Sequence, residues 1–138
     1  MDILLIASGG IVLVGLVLVA LFMRGRPRRL NVAWYQQEWK DMQKLLANKN
    51  TWAQAVIDAD KLLDRALKEK RFGGKAMGER LTKAQRVIGD NEGVWFGHKL
   101  RTKLDSDESI KLKEADVKQA LIGIREALKD LGALPDGK

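Results

Sequence analysis

The residue types that could do chemistry come together in one stretch, residues 94–105. On a helix, His98, Arg101 and Asp105 recur at spacings of three and four, so their side chains fall on one stripe. Such a cluster could bind phosphate, with Arg101 as the anchor and His98 as the proton donor. The alternative is a satisfied polar cluster at a seam between helices, or a dimer contact. We favour this alternative, because one histidine without a second titratable partner is weak support for catalysis.

The same stretch is basic, which adds a second interpretation. Its candidate residues for binding RNA or another anion are His98, Lys99, Arg101 and Lys103. Lysines on an exposed helical face are, however, usually just solvated. We therefore assign these four residues as a candidate binding surface and assign no catalytic residue.

Composition excludes several kinds of site. The chain has no cysteine, which excludes disulfides and thiolate metal sites, and its single histidine excludes the ordinary multi-histidine metal sites. We therefore expect no metal and no cofactor. Asp2 apart, all charged residues lie at or beyond Arg24, where 25 basic and 17 acidic residues give a net charge of +8. This balance suits an anionic lipid leaflet, a nucleic acid or an acidic partner without choosing among them.

A long apolar run at the start of the chain predicts where the protein is located. Residues 3–23 carry no charge and, at about 1.5 Å per residue, are long enough to cross a hydrocarbon core of about 30 Å. Four basic residues follow: Arg24, Arg26, Arg28 and Arg29. By the positive-inside rule, this pattern predicts a single-pass protein of a bacterial cell membrane, with its N-terminus outside and its C-terminal part in the cytoplasm. The arginines act as a topology signal and could also recruit anionic lipid.

Beyond residue 30 the apolar residues follow a helical period. The spacing predicts helices over about 31–47, 52–70, 77–88, 94–104 and 114–131. We expect Asn31 to cap the first helix, and Thr51 with Gln54 to form a capping box at the start of the second. Gly132 and Pro135 mark the end of the last helix.

The predicted fold class is therefore all-α, with a single N-terminal transmembrane helix followed by a compact bundle of about five helices. We divide the chain into a transmembrane anchor over residues 1–23, a basic juxtamembrane linker over 24–30 and a cytoplasmic helical-bundle domain over 31–138.

Three blocks carry a resemblance to a known group of proteins: residues 55–64, residues 74–81, and Val94-Trp95 with His98-Lys99-Leu100-Arg101. In these blocks the chain resembles small uncharacterised proteins of candidate-phyla bacteria of the Saccharibacteria type, many of which have one N-terminal membrane helix. Their helical part is similar to HEPN domains, and the resemblance covers about 34–134. It implies a HEPN-like helical bundle, a fold that is often dimeric and in many cases acts as a metal-independent ribonuclease.

The HEPN catalytic motif is an arginine, a polar residue and a histidine at the end of a gap of four to six residues. Arg101 matches the arginine and Thr102 the polar position. The histidine should then fall at Ser106, Asp107 or Glu108, and none of these is histidine. A serine or a carboxylate cannot donate the proton that an imidazolium donates at neutral pH. The resemblance thus implies the fold, whereas the departure from the motif argues against nuclease activity.

Together these features predict a membrane-anchored, non-enzymatic interaction module on the cytoplasmic side, which self-associates or docks a protein partner. An anchor would raise its effective concentration. The alternative is an RNA-binding protein or a HEPN-type ribonuclease that uses the basic face around Arg101. The expected partners are the lipid bilayer and either a second copy or another protein, with RNA as the partner in the alternative.

Overall fold

The computed structural model describes residues 12–20, 29–107 and 109–136. Residues 12–20 form a first helix, α1. The helices that follow are α2 (Val32–Lys44), α3 (Trp52–Glu69), α4 (Met77–Lys83), α5 (Asn91–Ser106) and α6 (Glu114–Asp130). Within the described ranges every regular element is a helix and no strand occurs. This confirms the predicted all-α bundle.

The predicted membrane localisation is contradicted by the described helices. None of them is long and apolar enough to cross a bilayer. Helix α1, residues 12–20, is the part of the predicted anchor that the structure describes. The rest of the predicted anchor, and the linker residues Arg24, Arg26 and Arg28, lie outside the described residues. Arg29 is described and exposed.

Helix α3 lies at the centre of the bundle and contacts α2, α4, α5 and α6. The residues predicted to form its apolar face are all buried: Val56, Ala59, Leu63 and Ala66. Each leucine buried from water contributes about 1.5–3 kcal/mol. The alanines allow the neighbouring helices to approach closely, so the functional side chains of α3 and α5 are held near one another.

The start of α2 confirms one predicted cap, and the start of α3 contradicts another. The side chain of Asn31 accepts a hydrogen bond from the Trp34 amide at 3.1 Å, as a helix cap does. Thr51 and Gln54, in contrast, form no capping box. The Thr51 hydroxyl donates instead to the carbonyl oxygen of Asn48 at 2.9 Å. Two short 3₁₀ turns, Leu45–Ala47 and Lys49–Thr51, cause this difference because they bring carbonyl oxygens within reach of that hydroxyl.

Helices α3 and α6 end in the same way, with one residue in the left-handed conformation. This residue is Arg71 after α3, with φ of 65°, and Gly132 after α6, with φ of 81°. The amide of the next residue then donates back to Leu67 or Leu128, which closes the helix end. The predicted stop at Gly132 is therefore confirmed, while at Arg71 a bulky residue occupies a position that favours glycine.

Helix α5 begins three residues earlier than predicted. The Asp90 side chain accepts a hydrogen bond from the Gly93 amide at 2.9 Å, so Asp90 is the cap and Gly93 lies in the first turn of the helix. A methyl group added at Gly123 of α6 would overlap the backbone carbonyl of Gly93. Helices α5 and α6 therefore touch backbone to backbone, and this contact sets the position of the surface described below.

Candidate functional site

The polar cluster around the histidine is centred on Asp60 of α3, a residue that the sequence interpretation missed. Its side chain is fully buried. One carboxylate oxygen, Oδ2, lies 2.9 Å from His98 Nδ1 and accepts a hydrogen bond from Arg101 Nη1 at 3.2 Å. Because an ionised carboxylate only accepts, the His98 proton in this contact is on Nδ1. The cluster therefore ties α3 to α5 through charged groups at their seam.

Arg101 also contacts Asp105, as the predicted stripe requires. Its Nε atom lies 2.6 Å from Asp105 Oδ2, so one guanidinium forms ion pairs with two carboxylates, although its Nε–H is not aligned for a hydrogen bond. With a neutral imidazole the four side chains carry one net negative charge, and with an imidazolium they carry none. A phosphate group would find no excess positive charge here, so this geometry does not favour the anion-binding role.

The second oxygen of Asp60, Oδ1, is buried and has no hydrogen-bond partner among the described residues. An unpaired buried acceptor costs about 1–3 kcal/mol. His98 itself is mostly buried, with 15 % of its side chain exposed. The geometry fits the alternative stated above, a polar cluster at the seam between two helices. Its hydrogen bonding is incomplete, because Asp60 Oδ1 has no partner within the described ranges.

The four residues predicted to form one binding surface separate into two pairs. His98 and Arg101 turn inward onto Asp60, while Lys99 and Lys103 are exposed and lie one turn apart on the outer face of α5. The sequence contained a signal for the missing partner, because Asp60 falls four residues after Val56 and three before Leu63, on the apolar stripe of α3.

A second charged contact lies one turn further along α3. Arg80 donates to both carboxylate oxygens of Asp64, at 2.7 and 2.9 Å, and to the Gly74 carbonyl at 2.8 Å. Burial raises the pKa of Asp64, but the hydrogen bonds and charge of Arg80, helped by Lys68, outweigh burial and hold that pKa below its ordinary value. Helix α3 thus carries two carboxylates in its packed surface, each bound by a cation from another helix.

Within the described parts of the chain, no three acidic or histidine side chains are grouped closely enough to hold an ion.

The exposed side of α6 has the features of a binding surface. A groove of about 420 Å³ separates α2 from α6. Among the described residues its lining holds three cations, Lys40, Lys118 and Arg125, and no acid. Its apolar walls are Trp39, Met42, Leu46, Leu121, Ile122, Leu134 and Pro135. We call this the basic groove.

A second groove lies on the other side of α6, against α5, and has a volume of about 670 Å³. It contains the carboxylates of Asp90 and Glu92 beside the ring of Phe96. We call this the acidic groove. Lys118 and Ile122 line both grooves, so they form the ridge between them.

Ile122 is the apolar residue at the top of this ridge. It is 61 % exposed, more than Val87 at 49 %, the other large apolar residue exposed in the described part of the bundle. A single exposed apolar side chain is ordinary, but this one stands between two grooves of opposite charge. The predicted core stripe of α6 gave no indication of it, because that stripe identifies only the buried face of the helix.

The resemblance to HEPN-type proteins stays a prediction based on the three sequence blocks. In comparisons with known proteins, no family, no curated protein and no solved structure matches this chain.

Proposed function

We propose that this chain is a non-enzymatic interaction module that binds a helical protein surface across the exposed side of α6. The observation that carries the proposal is the exposed Ile122, which lies between the basic groove and the acidic groove. Protein interfaces commonly have an apolar centre and a charged rim, and this surface has that order of residues.

The same surface determines which chemical groups a partner must present. It has to present an apolar side chain to Ile122, carboxylates to the basic groove and a cation to the acidic groove. Well-packed apolar anchors supply most of the binding energy in such interfaces, whereas rim charges set orientation and association rate. A helix with acidic and basic sides satisfies all three requirements.

The alternative of RNA binding has less support. Trp39 of the basic groove is 7 % exposed, so its ring offers no free face on which a base could stack. The acidic groove beside it would repel a phosphate backbone. Of the predicted anion-binding residues, His98 and Arg101 are bound to Asp60, which leaves Lys99 and Lys103 as exposed cations.

The proposal can be tested by measuring whether Ile122 is covered in the cell. The chain has no cysteine, so Ile122→Cys and Val87→Cys each create a single reactive thiol at an exposed apolar position. In purified full-length protein diluted until its copies no longer associate, we expect both thiols to react rapidly with a maleimide. In an extract of the cells that make the protein, the thiol at 122 should react several-fold more slowly and the thiol at 87 should not change. Equal reactivity of the two thiols in both conditions would overturn the proposal.

A further inference from the structure

We infer that the partner of this surface is a second copy of the chain, with the two α6 helices side by side and parallel. This inference rests on the proposed function and names its partner. It follows from the signs and positions of the charges on the two sides of the Ile122 ridge.

The two sides carry opposite charges that lack ion-pair partners within the described residues. Lys40 and Arg125 lie on the side of the basic groove. Asp90 and Glu92 lie on the other side, together with Asp130, which accepts a hydrogen bond from the Gly89 amide next to Asp90. The surface around Ile122 therefore has a basic flank on one side and an acidic flank on the other. The basic flank is Lys40 and Arg125, and the acidic flank is Asp90, Glu92 and Asp130.

Symmetry then selects the orientation. A two-fold axis running along α6 makes the helices parallel and exchanges the flanks, so each basic flank faces the acidic flank of the other copy. A two-fold axis perpendicular to α6 makes them antiparallel and sets basic flank against basic flank. Like charges in contact disfavour the second arrangement. The parallel pair is therefore the self-complementary one.

The parallel arrangement also predicts which residues meet their own counterparts. Ile122 lies on the axis and packs against its counterpart, which removes both exposed side chains from water. Ala115 is exposed on the same stripe of α6, two turns and about 10 Å nearer the start of the helix. In a parallel pair Ala115 also meets its counterpart, whereas in an antiparallel pair the two copies of Ala115 lie at opposite ends of the contact.

Disulfide trapping distinguishes these arrangements. Full-length chains carrying Ala115→Cys, Ile122→Cys or Val87→Cys would be oxidised mildly at low protein concentration and resolved without reductant. We expect dimers from the thiols at 115 and 122 and only background from the thiol at 87. A dimer from 122 alone would overturn the parallel arrangement. Because the apolar residues 3–23 can bring chains together independently, the pattern across the three positions is decisive, and the amount of dimer is not.

Charge reversal provides a second measurement that does not depend on the thiol geometry. In the Ile122→Cys chain, Arg125→Glu should reduce dimer formation several-fold, and adding Glu92→Lys should restore most of it. Neither Arg125 nor Glu92 has an ion-pair partner among the described residues of its own chain, so these changes leave the fold intact. Lys103→Glu makes the same change in net charge on the exposed face of α5 and should have no effect. Equal loss from Lys103→Glu, or no restoration by Glu92→Lys, would contradict the inference.

Failure of this inference differs from failure of the proposed function. If the thiol at 122 forms no dimer in purified protein but is protected in cell extract, the surface binds a different protein and only the inference falls. If the thiol at 122 forms no dimer in purified protein and is not protected in cell extract either, the proposed function falls as well.

Discussion

Asp60 accepts the polar contacts that connect α3 with α5. We expect its loss to destabilise the fold more than the loss of an exposed acidic residue. Its carboxylate has no solvent exposure, and both of its partners are more than four-fifths buried. Removing one member of a buried ion pair leaves the other charged and unpaired, which is far more destabilising than losing an exposed pair.

We therefore expect Asp60→Ala to lower the free energy of unfolding by about 3 kcal/mol, because Arg101 and His98 lose their shared acceptor. Asp58→Ala is the matched control on the same helix. Within the described residues its carboxylate forms one hydrogen bond, with Gln54 on the surface, and its loss should change stability by about 0.5 kcal/mol or less. Urea denaturation of both variants measures the difference. Equal losses would show that the buried cluster contributes nothing beyond an ordinary surface contact.

The contact between Asp64 and Arg80 makes the stability of the folded protein depend on pH. Its pKa in the folded protein lies below the ordinary value of 3.8, so the folded state binds this proton less readily than the unfolded chain does. The resulting stabilisation is fully present above that ordinary pKa and is lost as the pH falls through the lower folded value.

Asp64→Asn should therefore lower the free energy of unfolding by about 2 kcal/mol at pH 7, where Arg80 loses its charged acceptor. The variant should also lose less stability than the parent between pH 5 and pH 2, because it has one fewer depressed carboxylate. Urea titrations across this range provide the measurement. A variant that loses stability as steeply as the parent would contradict the assignment.

At the residue scale, the sequence predicted three of the four side chains in the cluster and missed Asp60. His98, Arg101 and Asp105 are close in the chain, so helical spacing was enough to bring them together. Asp60 stands 38 residues before His98, and its role depends on how α3 packs against α5. The apolar stripe of α3 indicates that Asp60 is buried, but no local pattern identifies the helix that it contacts.

At the scale of elements, local rules predicted most of the fold. Helical periodicity and glycine at a helix end depend on neighbours in sequence, and the ranges of α3 and α6 were accordingly predicted to within one residue. The ends of α2 and α4 were predicted wrongly: α2 ends at Lys44 and not at about 47, and α4 ends at Lys83 and not at about 88. Gly93 lies inside α5, three residues beyond the Asp90 cap, and the α6 residue that contacts its backbone is Gly123, which has no side chain.

This contact gives a prediction for two glycines in helices. Gly123→Ala should lower the free energy of unfolding by more than about 2 kcal/mol, because the new methyl group overlaps backbone atoms of α5 that cannot rotate away. Gly78→Ala is the control in α4. Its methyl group would lie 3.5 Å from Trp95, and the better helix former should be neutral or stabilising by up to about 1 kcal/mol. Thermal unfolding compares the two, and a well-tolerated Gly123→Ala would refute the close packing.

For the whole molecule, the distribution of charge has more effect on association than its total. The chain carries a net charge of +7, so two copies repel one another at long range. At 0.15 M salt, charges more than about 8 Å apart are already screened. The complementary flanks beside Ile122 would meet at shorter distances than this and remain attractive.

Dimer trapping through the thiol at 122 should therefore decrease between 0.15 M and 1 M sodium chloride, as the screening length falls to about 3 Å. In the Arg125→Glu background the flanks repel, so the same increase in salt should raise the yield. Trapping that responds to salt in the same direction in both chains would show that the flanks do not face one another.

The contact between Gly123 and the backbone of Gly93 also limits how this protein can change during evolution. A clash between side chains can be relieved by a compensating substitution, but here the opposing atoms belong to the main chain, which every residue has. No second mutation on α5 can make room for a larger residue at position 123 unless the helices move apart. Descendants that keep this packing must therefore retain glycine at that position, even after their surfaces have diverged beyond recognition.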